Sequence, residues 1–141
     1  SEATSMLADI RLKQEAYRSA FHTYACSKAA NTECTWIPDK DNIGNTPQAW
    51  AGTNLARWSQ LGVKPTEHVY FTYYCVSGAP TEKDSGAMNV DLSPIWDTDF
   101  WFAAQAIQDI DGDGKCGGFE IYTGNSSIVE LPGPEQAAYC P

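Results

Sequence analysis

Between Asp109 and Glu120 the chain reads Asp-Ile-Asp-Gly-Asp-Gly-Lys-Cys-Gly-Gly-Phe-Glu, a spacing that can hold a metal ion. Carboxylates at loop positions 1, 3 and 5 (Asp109, Asp111, Asp113) can converge on one hard cation. Gly114 permits the sharp turn, the Lys115 carbonyl would supply position 7, and Glu120 at position 12 would close the shell. Calcium is the ion this donor set implies. The competing reading is a plain turn, in which Asp side chains hydrogen-bond their own backbone. The flanks are not those of a helix-loop-helix site: residues 98–107 and 118–123 are rich in aromatic and β-branched types and read as strands. The loop therefore joins two strands, and a bound ion would clamp them and relieve carboxylate repulsion, with no catalytic part.

Other reactive groups are sparse. There are two histidines, His22 on a helical stretch and His68 at a strand start, and no G-x-S-x-G elbow, so no enzyme is expected. His22 and Cys26 lie one helical turn apart and could seat a metal, but with no second ligand pair they read as a helix-face histidine beside a disulfide. A formal charge of -9 repels phosphate backbones and anionic headgroups, so nucleic acid is not an expected partner.

Five cysteines in 141 residues, without paired C-x-x-C spacing, favour an oxidising compartment over zinc. Cys26 and Cys34 enclose a short Asn/Thr/Lys loop just after a helix and are expected to pair. Cys140 then takes Cys75 or Cys116, with Cys116 the preferred partner, and one thiol is left over.

The elements that must position these groups are read from periodicity. Ala3, Leu7, Ile10, Gln14, Tyr17, Phe21 and Tyr24 fall on one stripe at 3-4-3-4 spacing, which predicts a long helix over 1–26 with no clear N-cap. Residues 27–66 are punctuated by Pro38, Gly44, Pro47 and Gly52 and read as a helix-sheet loop pinned by Trp36 and Trp50. Within it Asn54 could cap a short helix through Leu61 that Gly62 ends. Residues 67–131 read as antiparallel strands at 67–77, 98–107, 118–123 and 127–131, with a long loop over 78–97, and 132–141 as a tail. The expected class is α+β, a single domain of one long helix packed on a three- to four-stranded antiparallel sheet.

Three segments in this order carry a family resemblance. Ser1-Glu-Ala-Thr-Ser-Met-Leu-Ala-Asp-Ile with Glu15-Ala-Tyr-Arg resembles the exposed half of the long type IV pilin helix. Trp58-Ser-Gln-Leu-Gly-Val, Pro65 and Tyr70-Phe-Thr-Tyr are similar to the stretch leading from the helix-sheet loop of such proteins into the first strand. Phe102-Ala-Ala-Gln-Ala, Asp109-Ile-Asp-Gly-Asp-Gly and Phe119-Glu-Ile resemble their strand, acidic turn and strand near the end. The chain thus resembles the soluble head of a type IV pilin or pilin-like protein, with the family's apolar N-terminal helix half missing. With secreted-type cysteines, no start Met and an abrupt helical beginning, a membrane-spanning or targeting segment is expected to have been removed.

The resemblance implies a structural subunit, a major or minor pilin of a bacterial filament serving adhesion, twitching motility or uptake. It implies copies of the chain or other pilins as partners through the missing helix, and contact with a membrane through that segment alone. It also implies residence in the inner membrane with the head in the periplasm, then at the cell surface. A type II secretion pseudopilin shares this architecture. A secreted calcium-binding module with no filament role is the alternative from another class. The 141 residues by themselves are expected to be monomeric.

Overall fold

The apolar stripe of the N-terminus becomes a helix, α1 (Glu2–Phe21), with Ala3, Leu7, Ile10 and Gln14 buried on one face. Ser1 closes its first turn: Ser1 Oγ accepts from the Thr4 backbone N–H at 3.4 Å, and Thr4 Oγ1 donates back to the Ser1 carbonyl at 3.1 Å. The computed structural model describes residues 1–42, 44, 46–82 and 98–141. Most of the loop read over 78–97 lies outside the described residues.

The helix is shorter than the stripe. His22 adopts a left-handed conformation (φ 65°) and caps the last turn by donating to the Arg18 carbonyl. The chain then doubles back. The Gln14 side chain, fully buried, accepts from the Ala25 N–H at 2.8 Å and donates to the Ala25 carbonyl at 3.0 Å, so one amide does for this segment what a β-bridge would do. Tyr24 is buried against Phe102, ring centroids 4.9 Å apart, by this reversal and not by helical continuation. An apolar residue at the right spacing met the core by another route, which is why the periodicity overran the helix.

The sheet has five strands in the order β1 (Cys34–Ile37), β2 (Thr72–Gly78), β3 (Trp101–Gln108), β4 (Gly117–Tyr122) and β5 (Asn125–Glu130), all neighbours antiparallel. This corrects the expected class of one long helix on three or four strands. The additional strand is β1, a four-residue segment inside what the sequence presented as a loop, too short to show alternation and closed by Pro38. A second helix, α2 (Leu55–Leu61), also stands in that loop. Gly62 ends it at φ 98°, as its glycine required, whereas the Asn54 side chain makes no capping bond.

Both faces of the sheet are covered. On one, Leu7, Ile10 and Gln14 of α1 meet Tyr73, Cys75, Phe102, Ala104, Ala106 and Ile121 in the main core. Ala104 and Ala106 are small, which lets a helix lie close over β3 and β4. Trp58 of α2 joins this core fully buried, its indole N–H donating to the Thr35 carbonyl at 2.8 Å and so tying α2 to β1. On the other face Val76, Trp101 and Ala103 form one cluster, and Ile107, Cys116 and Leu131 form another beneath Trp36 and Tyr139.

A single carboxylate anchors the start of α1. Glu2 Oε1 accepts from the Tyr70 N–H at 2.8 Å, while Oε2 accepts from the Phe71 N–H at 3.2 Å and from the Tyr73 hydroxyl at 2.6 Å. Charge-assisted bonds of this kind each contribute roughly 1.5–3 kcal/mol, and removing the acceptor leaves the buried phenol stranded. Glu2→Ala is therefore expected to cost about 2 kcal/mol, read as a lower urea midpoint with unchanged m-value. A midpoint within error of the parent would show that solvent replaces the carboxylate.

Candidate functional site: the acidic loop between β3 and β4

The metal-like pattern occupies the β3–β4 connection. One oxygen from each of Asp109, Asp111 and Asp113 lies within 4.8 Å of the others. Asp109, at the end of β3, is nearly buried, and its two oxygens accept from the Gly112 and Gly114 N–H groups, each at 3.0 Å. Asp113 Oδ1 accepts from the Lys115 N–H at 2.9 Å. Gly112 and Gly114 turn the chain at φ 71° and 80°, the left-handed region that a side chain disfavours, and this brings the three acids onto one concave side.

Contact between two of the acids sets their acidities apart. A hydrogen bond to Asp113 pushes the Asp111 carboxyl above the ordinary aspartate range, while the Lys115 backbone N–H holds Asp113 below it. Asp111 is thus the first of the pair to take up a proton as pH falls. A divalent cation would take the place of that proton.

Glu120 is not part of this cluster. It lies in β4 opposite Gln105, is buried, and accepts from Gln105 Nε2 at 2.6 Å. The register places the Gln105–Glu120 pair three residues along from Gln108–Gly117, roughly 10 Å from the loop's base at a strand rise of about 3.3 Å. The twelve-residue spacing assumed a loop that stays open to position 12, whereas the chain re-enters the sheet at Gly117. The structure thus brings together three of the four carboxylates expected as ligands, Asp109, Asp111 and Asp113.

Both expected disulfides are present, Cys26–Cys34 and Cys116–Cys140, leaving Cys75 as the free, buried cysteine. Cys116–Cys140 follows the acidic loop and ties the C-terminal turn Ala137–Tyr139 to the base of β4, assisted by a two-way backbone bridge between Cys116 and Gln136, each bond 3.0 Å. The loop is thus fixed at one end by the sheet and at the other by a covalent staple. His22 caps α1 and the Cys26 sulfur is bonded to Cys34, so that pair has no thiolate to offer a metal in this state.

Two polar networks were not foreseen as such. Glu2 reads in the sequence as a solvated face, and its three donors appear once the chain entering β2 passes beneath the helix start. Gln14 did carry a signal, an amide in an otherwise apolar stripe, which marks a buried polar residue needing partners. Compared with models of known protein families, with curated proteins and with solved structures, the chain matches none of them.

Proposed function

We propose that the chain is the head of a pilin-like filament subunit of a bacterial surface. One observation supports this reading above others: an N-terminal amphipathic helix lies across one face of an antiparallel meander whose strands follow in sequence order. Ser1, the residue ahead of α1, is exposed, which leaves room for a preceding segment to join a bundle of copies. An apolar continuation buried against its neighbours would supply a large driving force, and a heterologous contact that does not close produces a filament. The two disulfides fit a periplasmic or extracellular life.

The test is the N-terminal sequence and intact mass of the protein sheared from the cells that make it. An apolar segment of roughly 25 residues ahead of Ser1, the length a membrane-spanning helix needs, is the expected result. A protein free in the medium and starting at Ser1 would overturn the filament reading. The pseudopilin variant of this reading differs in the partners recovered with it, a secretion complex in place of a fibre.

The acidic triad supports calcium as a ligand of the same head or, if the filament reading fails, of a secreted calcium-binding module. The three clustered carboxylates fit a hard cation, with solvent completing the shell that Glu120 does not reach. Millimolar calcium is expected to raise the melting temperature by a few degrees, about 1 kcal/mol on a domain this size, and EDTA to reverse it. Asp111→Ala should abolish the calcium response while leaving the calcium-free melt nearly unchanged, because Asp109 and Asp113 carry the loop's backbone bonds. A melt indifferent to calcium would reduce the loop to a turn.

A further inference from the structure

Three of the five cysteines meet at one place. Cys34 of β1 is directly opposite Cys75 of β2 in the antiparallel register, and Cys34 is bonded to Cys26. The segment carrying Cys26 runs beside the same strand: the Ser77 N–H donates to the Cys26 carbonyl at 2.9 Å and the Lys28 N–H to the Ser77 carbonyl at 3.0 Å. All three residues belong to the helix-side core. Directly opposed antiparallel residues point to the same face with Cβ atoms about 4.5–5.5 Å apart. Their Cα separation, about 4.5–5.5 Å, is within the range of a disulfide, which would draw the two Cβ atoms in to about 4 Å.

We propose that Cys26, Cys34 and Cys75 form an internal thiol–disulfide exchange site, in which Cys75 replaces Cys26 on the Cys34 sulfur and thereby moves the odd thiol from the interior to a surface cleft. The Cys75 thiolate attacks Cys34 Sγ and the Cys26–Cys34 bond breaks. Cys26 Sγ leaves with the bonding pair as a thiolate and takes up the proton that Cys75 gave away. One S–S bond is lost and one formed, so the exchange is redox-neutral and needs no external oxidant.

The backbone hydrogen bonds around the site can persist through the exchange. Cys26 is held beside β2 by the two Ser77 bonds, and Ala25 by the two bonds to Gln14, none of which involves sulfur. The Gln14 amide also donates to Cys75 Sγ at 3.2 Å, where it would stabilise the attacking thiolate. The two isomers differ in exposure of the free thiol. Cys75 is fully buried, whereas Cys26, 5% exposed, lines a cleft of about 280 Å³ with Cys34, Tyr17, Tyr24, Arg57 and Gln60. Exchange would present a thiol there to an outside disulfide or to a second copy of the chain.

Burial pushes the Cys75 thiol up to about 12, opposed in part by Gln14. The residues facing it from β1 and β3 are Cys34 and Ala104, so no charged group on those strands sets its acidity. Arg57 and Tyr24 line the same cleft as the leaving Cys26, with the Arg57 guanidinium donating to the Glu33 carbonyl at 3.1 Å. Exchange is thus slow at neutral pH and gains about tenfold per pH unit as the thiolate fraction grows.

The experiment is alkylation of the folded protein with iodoacetamide at pH 7.5, 8.5 and 9.5, followed by acid quench and peptide mapping without reduction. The expected product carries the label on Cys26 with a Cys34–Cys75 linked peptide, appears about ten times faster per pH unit, and retains Cys116–Cys140. Cys75→Ala should show no labelled cysteine, which excludes reduction of Cys26–Cys34 as the source of the thiol. Three results would overturn the proposal: label on Cys75 with Cys26–Cys34 intact, absence of label in the folded protein, or label on Cys26 arising together with label on Cys116 or Cys140.

Discussion

Gly118→Ala is expected to be among the most damaging single-methyl additions to this chain, costing on the order of 3 kcal/mol, the upper end for overpacking a well-packed interior. Gly118 stands opposite Ile107 in the β3–β4 ladder. A Cβ at this position would overlap the Ala106 carbonyl oxygen and fall 3.1 Å from the Ile107 Cα. Both are backbone atoms of a central strand, so relief requires β3 and β4 to part and not merely a rotamer to turn. The Leu131 N–H also donates to the Gly118 carbonyl at 2.9 Å, so a displaced Gly118 pulls on the chain leaving β5 as well. Gly117→Ala provides the control: there the nearest atom is the Glu135 Cγ at 3.1 Å, the flexible end of a surface side chain, and the change should cost under about 1 kcal/mol. Urea unfolding of the pair by tryptophan fluorescence gives the comparison, and equal midpoints would refute the backbone-contact argument.

Alkali is expected to weaken the fold from about pH 9 upward, and Cys75 to be a principal cause. The folded thiol is pushed up to about 12 by burial, against a reference near 9.0. A group held protonated by the fold gives its full stabilisation below the unfolded value, and that contribution is lost as pH rises towards the folded value. Through this window one such group removes about 1.4 kcal/mol per pH unit, roughly 4 kcal/mol by pH 12. Tyr73 acts in the same direction, since burial and then its bond to Glu2 push the phenol above the ordinary tyrosine value of 10.0. Its loss therefore begins about one unit higher. Urea midpoints taken within minutes at pH 8, 9 and 10, for the parent and for Cys75→Ala, separate the two: the variant should lose less between pH 9 and 10. Parallel curves would mean that the thiol ionises in the fold as easily as in the unfolded chain.

How much of this was legible beforehand depends on whether a feature is local. The helix stripe, the α2 stop at Gly62, the acidic turn and the Cys26–Cys34 loop are all set within a few residues, and the sequence carries them openly. β1 was hidden because four residues cannot display a period, and it becomes a strand only because β2 offers it a free edge. The helix end was misplaced because Tyr24 obeys the spacing while serving a reversed chain. Glu120 was misassigned for a related reason: a motif counts positions along the chain, and the register of β3 with β4 decides which of them face the loop. Each miss is a case of tertiary pairing overruling a local pattern.

The Cys116–Cys140 staple has a mechanical side. It encloses β4, β5 and the tail turn in one covalent ring with a sequence separation of 24 residues. Fully extended, that stretch would span roughly 80 Å at about 3.4 Å per residue. Tension applied between the first helix and the C-terminal Pro141 passes through the sulfur bridge from Cys140 to Cys116, bypassing the ring. The β4–β5 hairpin is therefore spared the load, and the strands left to bear it are β1, β2 and β3. Under pull, the head with this bridge intact should lengthen by roughly 80 Å less than one in which Cys116–Cys140 alone is cut.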